Sequence, residues 1–453
     1  MALVRVTRPL PTLASGLVIL SLAGAALGAA GALVSGFGPT RGGVTYLGIS
    51  GVSTRADAVA VDAGGRFVVA GSSARGQWVL GRVDLDGTPD ETFGDGRATA
   101  GGLVVDDGGS TGGSVRDLIV LPTGRILVAG RIGASRGETR FAVRRYTSGG
   151  SPDPRFAAGG TRTVTFGADS IGGANAIATR TVDGDPSTTT IVAAGYHSGA
   201  PDDARQPALA RFLSDGALDP SFGGAGVIGR VPGIATAEIH DVKALPDGGV
   251  LAVGDTATLT ARPVMIRLRP DGSPDPSFGD GDGVLIVARP TDCLSASYRS
   301  VLIDTRGRFV VAGTARCDAR TSASAQFLVA RHQPDGLRDV TFGTIGITLG
   351  PDSAGADAIN AIVEQSGGSI VGVGSTGVHP NVRPAVVRLR NDGTFDPSFG
   401  HDGIVSESAP ESTVGGASAV SIGRDGHLVT AGWASVAGTE RAAIAKYDGA
   451  LTP

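Results

Sequence analysis

The chain has 453 residues, 41 % of them hydrophobic and 18 % charged, and its 73 glycines and 25 prolines make turns frequent. Those two types stay below the roughly 25–30 % of low-complexity disorder, so a disordered chain is excluded and a large core is affordable. A formal net charge of −4 leaves no basic surplus for nucleic acid, and 2 cysteines exclude both a disulfide-dense miniature scaffold and a thiolate zinc cluster.

Arg5 and Arg8 precede an uncharged stretch from Pro9 to Thr40 whose apolar heart runs from Leu13 to Leu33. The order basic, apolar, small is that of a secretory leader, with Ala30-Gly31-Ala32 as the small-x-small cleavage site and the mature chain opening near Leu33. Residues 1–34 are therefore expected to be a signal peptide, with an uncleaved anchor as the alternative. Adjacent twin arginines and a lipid-accepting cysteine are both missing from this region, which predicts export by the general secretory route to the cell envelope or beyond.

From residue 35 to 453 the chain repeats itself. The phrase Asp215-Gly216-Ala217-Leu218-Asp219-Pro220-Ser221-Phe222-Gly223 recurs, with variations, ending at Phe93, Phe156, Phe278, Phe342 and Phe399, while Phe37-Gly38 carries its last two letters. These phenylalanines are spaced by 56, 63, 66, 56, 64 and 57 residues. A second phrase, Gly65 to Gly71, returns as Gly124 to Gly130 and Gly307 to Gly313, with weaker copies ending at Gly195, Gly254, Gly374 and Gly432. Seven units follow.

Each unit holds four short apolar segments bounded by turn residues, in the first Gly43 to Gly48, Ala58 to Asp62, Arg66 to Gly71 and Trp78 to Val83. Several are apolar at consecutive positions, so both faces of the sheet are covered. The chain stops on Asp448-Gly449-Ala450-Leu451-Thr452-Pro453, the first half of the phrase that Phe37-Gly38 completes. A linear solenoid needs capped ends and a closed ring does not. The expectation is an all-β, seven-bladed β-propeller of four-stranded antiparallel blades. Whether the strand after each Phe-Gly joins the preceding or the following blade stays open; in the former case residues 42 to 48 complete the blade made by the C-terminus.

These two phrases resemble the bacterial delta-60 repeat, a β-propeller repeat of exported proteins, along the whole mature chain. The resemblance implies fold and export and no general activity. The chain departs from it in the third unit, where Asp183 to Thr190 lengthens a hairpin, and in the seventh, which is short.

Arg82, Arg145, Arg211, Arg267, Arg331 and Arg388 each stand eight residues before Asp90, Asp153, Asp219, Asp275, Asp339 and Asp396. In the seventh unit Lys446 and Thr452 take their places, and this paired loss predicts six structural ion pairs clamping a strand to its following loop. The repeated phenylalanines are read as packing between blades. A column at the second strand, Asp57, Asp117, Asn175, Asp241 and Asn360 with Ser300 and Ser418, is the candidate ligand-binding mouth of the channel, with His240 and Arg299 adding asymmetry. Its duller reading is that short polar side chains tie off turns. Cys293 and Cys317 flank one hairpin and are expected to form a disulfide. Asp280-Gly281-Asp282-Gly283 lacks the remaining ligands of a calcium loop and reads as a turn, so no metal or cofactor is expected. The six histidines do not recur in register and are expected on surfaces or loops.

No nucleophile elbow, phosphate loop or His-Glu-x-x-His helix is present. The leading expectation is an exported, monomeric, non-enzymatic module that binds a small molecule, glycan or protein, touching membrane only through residues 1–34 if these stay attached. The alternatives are a structural or adhesive envelope protein, or an enzyme resembling propeller lyases, lactonases or quinone-dependent dehydrogenases.

Overall fold

The structure is a computed structural model that describes residues 30–94, 103–106, 112–133, 139–167, 171–199, 203–317, 324–351, 355–408 and 411–450. Most of the expected leader, residues 1–29, lies outside the described residues, as does Thr452. Seven four-stranded antiparallel sheets form the blades of a propeller. Blade I runs Thr54–Val61, Phe67–Ser73, Trp78–Val83 and Leu103–Asp106 from the axis outward. The inner strands of blades II to VI are Ser114–Val120, Ile171–Arg180, Glu238–Ala244, Ser295–Ile303 and Ala358–Glu364. Blade VII combines Ser412–Ile422, Leu428–Val436 and Thr439–Tyr447 with Val44–Leu47, whose residues pair from Val44 opposite Ala445 to Leu47 opposite Ala442. The strand after Phe-Gly thus belongs to the preceding blade, and the first unit's segment Gly43 to Gly48 is the outer strand of the last blade. The lengthened hairpin of the third unit holds a single 3-10 turn, Pro186–Thr188.

Consecutive apolar residues exist because each blade is buried on both faces. Phe67 and Val69 pack between blades VII and I, and Val68 and Ala70 between blades I and II. One apolar cluster fills each of the seven blade interfaces among the described residues, including that between the last and first blades. The phrase phenylalanines Phe37, Phe93, Phe156, Phe222, Phe278, Phe342 and Phe399 all sit in these clusters, each at most 1 % exposed.

The six arginine–aspartate pairs all close, from 2.7 to 2.9 Å between guanidinium nitrogen and Oδ2. The contact differs from two parallel bonds, because Oδ2 alone meets the guanidinium. Asp219 Oδ1 instead accepts the Ser221 amide at 3.0 Å and its hydroxyl at 2.6 Å, which tightens the turn before Phe222. The arginine reaches further. Arg82 Nη1 donates to Ser148 O of the next blade at 2.7 Å, Arg267 Nη1 to Pro334 O at 2.9 Å, and Arg211 Nη1 to Pro270 O. Five of the six guanidiniums also lie 4.6–4.8 Å from the centroid of their own unit's phenylalanine, a cation–π distance. Each clamp therefore ties a strand, its loop and the neighbouring blade together. In the seventh unit Lys446 pairs with Asp425 at 2.6 Å. The Val34 amide donates to Lys446 O at 2.8 Å, as the Asp90 amide does to Arg82 O at 2.8 Å, so Val34 stands in the aspartate's position.

Cys293 and Cys317 are disulfide-bonded across the base of blade V's inner hairpin. One histidine departs from the surface expectation: His332 is 1 % exposed, with Nε2 3.1 Å from the Tyr298 hydroxyl and Nδ1 2.9 Å from Gly336 O. Burial, outweighing its bond to Gly336, lowers its pKa to about 4 and holds the ring neutral.

Candidate functional site

Every inner strand carries a β-bulge at the same place in the repeat, and Ser412–Ile422 has a second irregularity between Ser412 and Gly415. The register breaks between Ala56 and Ala58, Val115 and Asp117, Ala174 and Ala176, Ile239 and Asp241, Tyr298 and Ser300, Ile359 and Ala361, and Ala417 and Ala419. Opposite each bulge stands the last glycine of the second phrase. A Cβ on Gly71, Gly254 or Gly374 would lie 1.8–1.9 Å from the carbonyl oxygen of Arg55, Glu238 or Ala358. The kinked strand leaves no room for a side chain there, which explains why that phrase always ends in glycine.

The unpaired residues of the bulges are Asp57, Arg116, Asn175, His240, Arg299, Asn360 and Ser418, and all of them line one axial cavity of about 190 Å³. The sequence-derived column joins two layers of this wall. Asp57, Asn175, Asn360 and Ser418 are bulge residues, whereas Asp117, Asp241 and Ser300 follow their bulges by one position. Arg116 was not singled out from the sequence; it precedes Asp117 in a unit where a charged pair hides the register.

The second layer straps blades together. Asp117 accepts the amides of Leu118 at 2.8 Å and, from blade III, of Ile177 at 2.9 Å. Asp241 accepts the Val242 amide at 2.7 Å, and from blade V the Val301 amide at 2.8 Å and the Ser300 hydroxyl at 3.2 Å. Ser300 in turn accepts the Ile362 amide of blade VI at 3.3 Å. Asn175 and Asn360, though bulged, also donate across to Ile239 O and Ala417 O, each at 2.8 Å. Short polar residues here tie blade to blade rather than turn to turn.

Burial shapes the charge of the ring. It raises Asp57 to about 6, against the pull of Arg116, Arg55 and a hydrogen bond from Ser72. Asp117 rises to about 7 through burial and then repulsion from Asp241, partly opposed by its amide donors. Burial likewise holds the Arg299 guanidinium below its ordinary value, which Asp255 only partly offsets. Arg299 Nη1 donates to Asn360 Oδ1 at 2.8 Å, and Lys243 Nζ lies 2.8 Å from Asp241 Oδ1.

Around the bulges the units stop resembling one another. The residue after the bulge-facing glycine is Ser72, Arg131, Tyr196, Asp255, Thr314, Ser375 and Trp433 in turn around the ring. Different contacts result. His240 Nε2 lies 2.9 Å from Asp255 Oδ2, which also accepts the Ser297 hydroxyl at 2.7 Å. Arg55 stacks over Trp433 at 4.6 Å and pairs with Glu440 at 2.6 Å, and Arg205 stacks over Tyr196 at 4.4 Å while pairing with Glu238. The opposite ends of the blades hold six copies of one clamp. A larger cavity of about 1080 Å³ lies off the axis beside blade VI, but its ionisable residues His401, Asp402 and Glu407 are all exposed. Among the described residues no cluster of His, Cys, Asp and Glu has the arrangement of a metal site.

The family model described as "Domain of unknown function (DUF5122) beta-propeller" matches residues 121–156, 190–222, 245–278 and 365–399, each stretch running from the first hairpin of a blade to its phrase phenylalanine. No curated protein matches the chain. Among solved structures, virginiamycin B lyase from Staphylococcus aureus is similar at 10 % identity and a TM-score of 0.46, covering 89 % of this chain and 98 % of that one. The PQQ-bound aldose sugar dehydrogenase of Streptomyces coelicolor is similar at 14 % identity and 0.39, covering 73 % and 94 %. Drosophila Plexin A, in complex with Semaphorin 1b, is similar at 11 % identity and 0.38, covering 89 % and 86 %. The blade count rests on the hydrogen-bonded sheets of the chain itself, and the family-model matches support a β-propeller repeat family.

Proposed function

We propose that this propeller is an exported, non-enzymatic binding module whose axial cavity takes a small hydroxylated carboxylate or a comparable small anion. One observation carries the reading: the Arg299 guanidinium stands on a bulge in the cavity wall, open to the cavity, and meets the neutral Asn360 Oδ1 at 2.8 Å with no carboxylate in ion-pair contact among the described residues. Arg116 occupies the corresponding bulge three blades away, so the two guanidiniums face the cavity from well-separated parts of the ring. The nearby carboxylates compete weakly. Asp117 and Asp241 spend their oxygens on backbone amides, and burial draws Asp57 and Asp117 toward the neutral form. Asn175, Asn360 and Ser418 add neutral hydrogen-bonding groups. The cavity, about 190 Å³, falls below the roughly 300–1,000 Å³ of drug-sized sites and suits a ligand of monosaccharide size. Export is supported by the leader-like N-terminal composition and by the Cys293–Cys317 disulfide, a bond that persists in oxidising compartments. The test is thermal unfolding with gluconate, glucuronate, citrate and inorganic phosphate, using glucose as the uncharged comparison. An anion present at about 100 times its dissociation constant stabilises by about 2.7 kcal/mol, and the midpoint rises. No rise with any of the anions contradicts the reading.

A second reading is favoured by a single contact. Asp255 orients His240 through Nε2, leaving Nδ1 for a proton in the cavity, so turnover of a bound acid that disappears in His240→Gln while binding persists would place an enzyme here.

A further inference from the structure

Residues 30–32 and the segment around Asp448 meet inside a single β-turn. In blade I the Asp84 amide donates to Thr88 O at 2.8 Å and the Gly87 amide to Asp84 O at 2.9 Å, with Gly38 of the preceding blade donating to Asp86 O at 2.7 Å. In blade VII the Asp448 amide donates to Ala32 O at 2.8 Å, the Gly31 amide to Asp448 O at 2.8 Å, and Gly400 of blade VI to Ala30 O at 2.9 Å. The same turn is built from two stretches distant in sequence, with Asp448 standing for Asp84 and Ala30-Gly31 for Asp86-Gly87. Gly31 has φ 91°, beside 87° for Gly87 and 93° for Gly336, its counterparts. A Cβ on Gly31 would lie 2.7 Å from Val405 Cγ2 and 3.1 Å from the Gly400 amide, much as one on Gly393 would lie 2.7 Å from the Gly343 amide. The sequence agrees. Ala30-Gly31-Ala32-Leu33-Val34-Ser35-Gly36-Phe37-Gly38 aligns without a gap on Asp215-Gly216-Ala217-Leu218-Asp219-Pro220-Ser221-Phe222-Gly223, so it is the seventh unit's own phrase.

The residue before this turn completes the pattern. Arg145, Arg267 and Arg331 donate through Nη1 to the carbonyls of Ser214, Pro334 and Asn391, each the residue just before the Asp of the next turn. Arg388 donates instead to Ala450 O at 3.0 Å. The acceptor that residue 29 would supply in an unbroken turn is supplied by the C-terminal strand's extension.

We propose that removal of the leader cuts on the N-terminal side of Ala30, so that Ala30 to Gly38 remains as the clasp that closes the ring, and that Ala30-Gly31-Ala32 is not the cleavage signal. The nearest upstream small-x-small signal is Ala26-Leu27-Gly28. Hydrolysis after it adds one water across the Gly28–Ala29 peptide bond, leaving a carboxylate on Gly28 and an amine on Ala29. This inference rests on the export reading for the cut and on the backbone geometry for the clasp, and two measurements separate them. Intact mass and N-terminal sequencing of the secreted protein, expressed as the full chain, read the cut: a first residue at or before Ala30 is expected, and Leu33 or an intact residue 1 overturns it. Thermal unfolding of variants that begin at Ala30 and at Leu33 reads the clasp. The first is expected to match the secreted protein and the second to melt about 3–5 °C lower, having lost three backbone hydrogen bonds. Gly31→Val in the full-length background is expected to show the same loss, and equal midpoints for all of them overturn the clasp.

Discussion

Asp241 accepts the backbone amide of Val301 at 2.8 Å, so a carboxylate of blade IV caps the inner strand of blade V beside the axis. The same carboxylate binds the Lys243 ammonium at 2.8 Å and the Ser300 hydroxyl at 3.2 Å. Such a group cannot be removed quietly. Asp241→Ala leaves a buried amide unpaired and is expected to cost about 1–3 kcal/mol, read as a lower urea midpoint with an unchanged slope. A midpoint within error of the parent contradicts the strap.

The ring's two raised carboxyls make stability depend on pH in a defined sense. Asp117 at about 7 and Asp57 at about 6 hold their protons more tightly when folded than the ordinary 3.8 allows. Their contribution is complete below about pH 4 and is lost as pH rises through the folded values. The clamp aspartates behave oppositely. Burial alone would raise them, but hydrogen bonds and the arginine charge together hold them below 3.8, so they lose their contribution only in stronger acid. Between pH 4 and 7 the melting temperature of Asp117→Asn is therefore expected to fall less than that of the parent. Parallel curves would show that Asp117 titrates normally.

The clamp predicts strong coupling between its members. Arg211 and Asp219 are 8 % and 9 % exposed at their side chains, so Asp219→Ala strands a buried guanidinium and is expected to cost about 3–5 kcal/mol. Arg211→Met with Asp219→Ala removes both charges and should cost less than the sum of the single changes. Chemical denaturation of the four proteins in the cycle measures the coupling, and additive losses would mean that no pair exists.

Closing the loop of 24 residues between Cys293 and Cys317 is worth about 3 kcal/mol on the chain-entropy estimate. Titration of the denatured, unreduced protein is expected to find no free thiol, and reduction should lower the melting temperature. Two reactive thiols would contradict the bond.

Much of this architecture was legible before any coordinates, because repetition exposes itself. Consecutive apolar residues such as Phe67-Val68-Val69 required sheets covered on both faces, and the lockstep of Arg82 with Asp90 across units announced a pair. The bulges were not legible. One extra residue in a strand leaves the apolar run intact, so Asp117 and Asp241 aligned with Asp57 although they stand one position on, and Arg116 escaped notice. The invariant Gly71 was the available signal, since a glycine inside a strand marks a bulge opposite. The closing turn was hidden differently: Ala30 and Val34 replace the two aspartates of the phrase, which left Gly31, Leu33, Phe37 and Gly38 looking like the end of an apolar leader. His332 took a core position because the Tyr298 hydroxyl and Gly336 carbonyl satisfy its ring, a partnership across 34 residues that spacing does not reveal.

The central claim is that the non-repeating bulge ring is an anion site, and calorimetric titration addresses it most directly. The anion giving the largest thermal shift is titrated into the parent, Arg299→Ala and Arg306→Ala, the last carrying an arginine in a blade hairpin away from the cavity. The account predicts saturable one-to-one binding that weakens at least about tenfold in Arg299→Ala, the effect of about 1.4 kcal/mol expected for losing one charge-assisted hydrogen bond, and is unchanged in Arg306→Ala. Equal affinity in all three proteins, or no heat in the parent, would contradict it.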